Sequence, residues 1–137
     1  MNTATDVFWY WVFRVKGMWN CAASVGFLLG DDALRDRLQV PHPDPVYRAM
    51  FLALAFAFGL GYWWVGCDPE KNRDIIRMGV LGQLSVFVVL AYAVGFAPQR
   101  LPWPFFLPGV IDALFAIAFL IFLWQYSRSG SHGAKLS

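Results

Sequence analysis

Lys16, Asn20 and Ser24 recur at every fourth position inside the first apolar stretch of the chain. That spacing sets an ammonium, an amide and a hydroxyl on one face of a helix. A lysine within hydrocarbon is costly unless it is paired or reaches water, so it points to an ion pair, a ligand contact or a charge path. Arg14 stands two residues earlier, about 200° around a helix axis, and the two cations cannot both point inward. The expectation is that Lys16 leans inward while Arg14 reaches the lipid headgroups. In the alternative both side chains reach the headgroups from just inside the interface.

Asp112 is the one acid within an apolar stretch beyond its first turn. An unpaired carboxylate there needs a cation or a proton. Arg48 and Arg100, expected at the same end, are the candidate partners. The chemistry open to Asp112 is a structural ion pair aided by the helix N-terminus, or a proton relay or ligand contact. Lys16 and Asp112 are expected near opposite faces, which argues for a path rather than one compact site. Gln83, four residues after Gly79, is expected chiefly to pack; the alternative is a bond to Asn20 across the helices, an interaction worth around 1 kcal/mol. Arg14, Arg73 and Arg77 are candidates for holding anionic headgroups.

Other chemistry lacks its residues. The two histidines, His42 and His132, fall outside the apolar stretches, which argues against paired-histidine haem ligation. Cys21 and Cys67 suit neither a metal nor, at the depths expected for them, a disulfide. No phosphate-binding glycine loop opens a helix. Ser24 and Ser85 lack a histidine to activate them. No catalytic residue, metal site or cofactor is expected, and a membrane enzyme has the least support. A net charge of +2, spread over several segments, argues against nucleic acid as a partner.

The elements that position these residues are four apolar stretches, at 7–29, 45–65, 75–96 and 104–124. Each is close to the roughly 20 residues that cross the hydrocarbon. With 58% hydrophobic residues in 137, the chain is expected to be a single all-α domain, a four-helix transmembrane bundle running up-down-up-down. Asp6 precedes the first stretch while Arg14 and Lys16 interrupt it, so it is read as a retained span rather than a cleaved signal. Asp44-Pro45 supplies an N-cap and a first-turn proline to the second helix. Asp68-Pro69 repeats the device before the third. Pro102, Pro104 and Pro108 blur the start of the fourth. The segment 30–44 is expected to be a loop, with room for a short surface helix before Pro41-His42-Pro43.

Aromatic residues mark the ends of these spans. Trp9, Tyr10 and Trp11 begin the first, Tyr62, Trp63 and Trp64 end the second, and Trp124 and Tyr126 end the fourth. All are read as interfacial belts, with Trp103, Phe105 and Phe106 on the opposite side. The side holding both termini collects Arg14, Lys16, Lys71, Arg73 and Arg77, with Arg128 and Lys135 in the tail. The other holds Arg35, Arg37, Arg48 and Arg100. The excess predicts cytoplasmic termini. Small residues predict the helix contacts: Ala53, Ala57 and Gly61 in the second helix, Gly79 and Gly82 in the third, Gly109, Ala113 and Ala116 in the fourth. These faces serve internal packing or, alternatively, a dimer.

Gly17 and Asn20 in the first span, Gly61-Tyr62 closing the second, Gly79 and Gly82 in the third, and Val110-Ile111-Asp112-Ala113-Leu114-Phe115 opening the fourth resemble the small bacterial four-helix membrane proteins of the DoxX-like and BphX-like type. The resemblance implies a functionally diverse group in which some members partner oxidoreductases, and it carries over no catalytic residue. The expected function is an accessory or scaffold subunit of a membrane complex, in contact with lipid and with a protein partner or a second copy of itself. The alternative is a small transporter or binding module for a lipophilic or quinone-like molecule, held near Lys16, Asn20, Gln83, Asp112 and Arg48.

Overall fold

A computed structural model describes residues 3–97 and 101–133, with side chains for 4–97 and 101–127. Arg100 and the side chains of Arg128, His132 and Lys135 lie outside the described residues. The described chain is all-helical: α1 (Thr3–Leu38), α2 (Pro45–Val65), α3 (Arg73–Phe96), a 3₁₀ turn (Trp103–Phe106) and α4 (Leu107–Gly133).

The first helix runs well past its apolar stretch, so the loop expected at 30–44 shrinks to 39–44. Charged residues end an apolar run without ending a helix. Here the Arg35 guanidinium donates to Asp31 one turn back at 2.8 Å, an acid-then-base order that supports the helix. The helix stops at Gln39, whose φ is +52°. The Gln39 N–H donates to Asp36 O and the Val40 N–H to Arg35 O, which closes a Schellman motif just ahead of Pro41. At the start of α2 the Asp44 carboxylate accepts the N–H groups of Val46 and Tyr47, as its sequence predicts. Asp68 behaves differently. It accepts the Lys71 N–H within a turn, and α3 begins only at Arg73, behind an Asn72 that makes no capping bond.

Helix α1 packs closely on α2, and α3 on α4, whereas α2 and α3 touch much less. Glycines allow the first approach. A Cβ on Gly17 would lie 2.7 Å from Gly59 O, and one on Gly59 would lie 2.9 Å from Gly17 O. Aromatic side chains bridge the two pairs instead of backbone contact. Phe13 meets Phe119 at 4.7 Å and Phe122 at 5.3 Å, Tyr62 meets Phe119 at 5.2 Å, and Trp9 meets Phe122 at 5.3 Å between ring centroids. At that end Trp9 donates to Gln125 and Tyr126 to Asp6.

Two of the expected roles therefore change. Trp9, Tyr62 and Tyr126 are buried in this core rather than lying in an interfacial belt, whereas Trp11, Trp63 and Trp64 are exposed. The Ala53/Ala57/Gly61 stripe is not the internal contact face of α2. Ala53 and Ala57 are exposed, a Cβ on Gly61 meets nothing within 4 Å, and Leu52, Gly59, Tyr62 and Val65 are the buried residues. Gly79, against Tyr62, and Gly109, against Leu90, do lie at close contacts. In α4 Ala116 is fully buried.

Three helices, Pro45–Val65, Arg73–Phe96 and the Trp103–Ser127 segment, are long and apolar enough to cross a membrane. Large apolar side chains such as Leu29, Val89, Phe96 and Leu114 lie exposed on the helix surfaces. A protein that leaves so many of them uncovered needs lipid around it. The apolar stretch of α1 is diluted by Arg14, Lys16, Asn20 and three tryptophans.

Candidate functional site

The cationic head of Lys16 donates to Asp112 Oδ1, joining α1 to α4. Lys16 is 1% exposed and the Asp112 side chain 18%. This corrects the expectation that the two lie near opposite faces, and the expectation that Arg48 pairs Asp112; Arg100, the other candidate, lies outside the described residues. The Lys16 ammonium also sits 5.3 Å from the Phe115 ring. Arg48 is taken by other acids: its guanidinium is bound to Asp32 and lies 3.6 Å from Asp31.

The neighbouring polar groups come from three helices. Ser24 is spent on its own helix, donating to Asn20 O at 2.7 Å. Gln83 does not bond Asn20. Its amide nitrogen donates to the Tyr62 hydroxyl at 3.2 Å, and its Oε1, also buried, receives no donor. The tyrosine, rather than Asn20, is the partner because α2 turns its Tyr62 face, not its alanine face, toward α3.

Because α2 and α3 make little contact, space remains between the helix pairs. A cavity of about 350 Å³ has mostly apolar walls, with Asp31, Arg35 and Arg48 at one end. A second, of about 220 Å³, reaches Tyr62 and Gln83. Asn20, Phe51, Ala55, Val86 and Asp112 line both, so the two spaces adjoin at the ion pair. Lys16, Asn20, Gln83 and Asp112 are thus brought to one region. Arg48 stands at the far rim of the larger cavity.

The headgroup candidates have partners within the chain. The Arg14 guanidinium lies over Trp63 and Tyr10, 4.0 and 4.6 Å from the ring centroids, and donates to Cys67 Sγ at 3.4 Å. It reaches toward the C-terminal end of α2, away from Lys16, and packs on those rings. Arg73 lies 3.8 Å from Glu70, and Arg77 donates to Asp74 at 2.8 Å.

One cluster escaped the sequence analysis. His42 lies between Asp36, 2.9 Å from Nε2, and Asp32, 3.1 Å from Nδ1. Bonds to Asp36 and then Asp32 raise the imidazole above its ordinary value. Bonds from Arg48 and then His42 lower the Asp32 carboxyl. The signal lay in Asp32 and Asp36, one turn apart, followed by a histidine between two prolines that turn the chain back. Among the described residues no group of side chains could hold a metal ion.

Comparison with protein-family models, curated proteins and solved structures finds no match to the chain. The chemistry of the site must be read from its own residues. A neutralised ion pair, two amides and a phenol border an apolar space. That combination suits holding an amphiphilic molecule by its polar end, and it offers no activated nucleophile.

Proposed function

We propose that this protein is a membrane-embedded binding or transport module for a lipophilic molecule. The observation that carries the reading is the pair of apolar-walled cavities that share Asp112, the partner of Lys16, and Asn20, with Gln83 in the wall of the smaller one. Pockets for lipophilic ligands combine largely apolar walls with a few placed polar groups. A buried ion pair often contributes no more stability than apolar residues of the same volume would.

In this reading all four helices cross the bilayer, up-down-up-down, and both termini are cytoplasmic in a bacterial inner membrane. The pairing of Tyr10 with Gly66, of Gly17 with Gly59 and of Asp6 with Tyr126 supports α1 running antiparallel to α2 and to α4. The distribution of Lys and Arg supports the orientation.

Photolabelling tests the binding reading. The protein in bilayers is irradiated with a diazirine-bearing long-chain alcohol. Labels on Leu52, Ala55 or Val86 are the expected result. Labels confined to outward residues such as Leu29, Val89 and Leu114 would reject it.

A second reading, the accessory or scaffold subunit that the DoxX-like resemblance implies, draws on one observation. The small-residue stripe Ala53, Ala57 and Gly61 faces away from the rest of the chain. Small residues let helices approach closely in lipid, so this face suits a partner helix. Native electrophoresis of mildly solubilised membranes, followed by mass spectrometry of the band, would show one stoichiometric partner in that case.

A further inference from the structure

Three polar groups around the cavities lack a full set of hydrogen bonds. Asp112 gives Oδ1 to Lys16, and no described residue donates to its other oxygen. Gln83 Oε1 is buried without a donor, on a side chain 96% removed from solvent by its 4% exposure. The side-chain amide of Asn20, which lines both cavities, makes no hydrogen bond within the described chain. Of the three, Gln83 Oε1 is a buried atom left unpaired, whereas Asp112 and Asn20 are half-buried at the cavity wall. An unpaired buried polar atom is expensive, and the usual remedy is a partner with the complementary group.

The inventory narrows that group. A carbonyl, ester or ether can accept from the Asn20 amide but has no proton to give Asp112. An acid would bring a second negative charge to the same carboxylate. An amine cation would be left uncompensated, because Lys16 already neutralises Asp112. A hydroxyl both donates and accepts. With its one proton on Asp112, it meets the Gln83 amide only as an acceptor, in the orientation that turns the amide nitrogen toward it. As placed, Oε1 needs a donor. Turned over, Oε1 would take the Tyr62 proton and the amide nitrogen would need an acceptor.

We propose that the molecule held between the helix pairs is an alcohol or phenol, whose hydroxyl donates to Asp112 and is read by Asn20 and Gln83. This inference rests on the binding reading above and names the ligand's polar end. Among quinone-like molecules it selects the reduced, hydroxyl-bearing form, since an oxidised ring presents carbonyl acceptors alone.

The test compares para-propylphenol with its methyl ether, para-propylanisole, which differ only in the hydroxyl. Binding to the full chain in detergent is measured by calorimetry, after subtraction of partitioning into protein-free micelles. The phenol should bind roughly tenfold or more tightly than the ether, because a site built around a hydroxyl rejects the analogue that lacks it. That ratio should shrink several-fold in Asn20→Ala, which keeps the Cβ packed near Gly59, and in Gln83→Met, which keeps the side-chain length. Equal binding of the two compounds to the unaltered protein would overturn the hydroxyl while leaving the lipophile site standing. Binding of neither would overturn both. A phenol preference untouched by either substitution would show that the hydroxyl is read elsewhere, and would overturn the assignment to this site.

Discussion

Lys16 on α1 and Asp112 on α4, separated by 96 positions in the chain, form an ion pair where the two cavities adjoin. The lysine is almost wholly buried and the aspartate mostly so. Removing one partner leaves the other charged in an apolar setting. Lys16→Met alone, or Asp112→Leu alone, is expected to cost roughly 3–5 kcal/mol. The double variant should recover most of that loss, because no charge remains to be satisfied. Thermal denaturation of the single and double variants in one detergent checks this. Additive losses in the double variant would show that the two residues are not a coupled pair.

The glycines divide by what surrounds them. A methyl on Gly17 would meet Gly59 O at 2.7 Å and the Trp63 backbone nitrogen at 3.0 Å, and neither can move without shifting α2. Gly17→Ala is expected to destabilise by about 1–3 kcal/mol. A methyl on Gly61 meets nothing within 4 Å. Gly61→Ala should be neutral or stabilising by about 0.5–1 kcal/mol, through helix propensity alone. Paired melts of the two variants are sufficient, and a reversed order would contradict the α1–α2 contact described above.

The 39–44 loop is predicted to be held more firmly in mild acid than in base. His42 is raised above its unfolded value of about 6.5 by Asp36 and Asp32. Its contribution is therefore fully present below that value and is lost as pH rises through the folded pKa. Asp32 is lowered by Arg48 and His42, so its contribution is present above about 3.9 and is lost as pH falls through its folded value. Hydrogen exchange at 39–44, corrected for intrinsic rates, should show protection decreasing from about pH 6 to about pH 9. The decrease should vanish in His42→Gln.

Arg14 is placed between aromatic faces rather than in an ion pair. Its planar guanidinium covers Trp63 at 4.0 Å and Tyr10 at 4.6 Å. Arg14→Lys keeps the charge and loses the flat stack, so it should cost about 0.5–1 kcal/mol in a melt. No change on substitution would reduce Arg14 to an outward-reaching cation.

The parts of this fold that sequence reveals are those set by local chemistry. Asp44-Pro45 announces α2 because the cap and the first-turn proline act within four residues. The apolar stretches announce the membrane-length helices for the same reason. The inward face of α2 is another matter. In lipid the outer face of a helix is as apolar as the inner one, so hydropathy carries little information about phase. Small residues were the remaining guide, and Ala53, Ala57 and Gly61 form as regular a stripe as the buried Gly59 and Tyr62. Asp31 and Asp32 read as the end of the first helix because they end its apolar run, although the Asp31–Arg35 pair carries the helix onward. The four main site residues were recognised individually. Their convergence needed the depths of Lys16 and Asp112 to be compared along two helices, which assigning each residue to a face obscured.

The most direct test of the central claim, that the space between the helix pairs holds a lipophilic molecule, is native mass spectrometry of the protein released from its own membranes. The account predicts a retained small molecule, one per chain, that disappears in Ala55→Trp, where an indole would occupy the shared wall of both cavities while the protein remains folded by its melt. An unaltered protein that carries no such molecule, or an Ala55→Trp variant that retains it, would contradict the account.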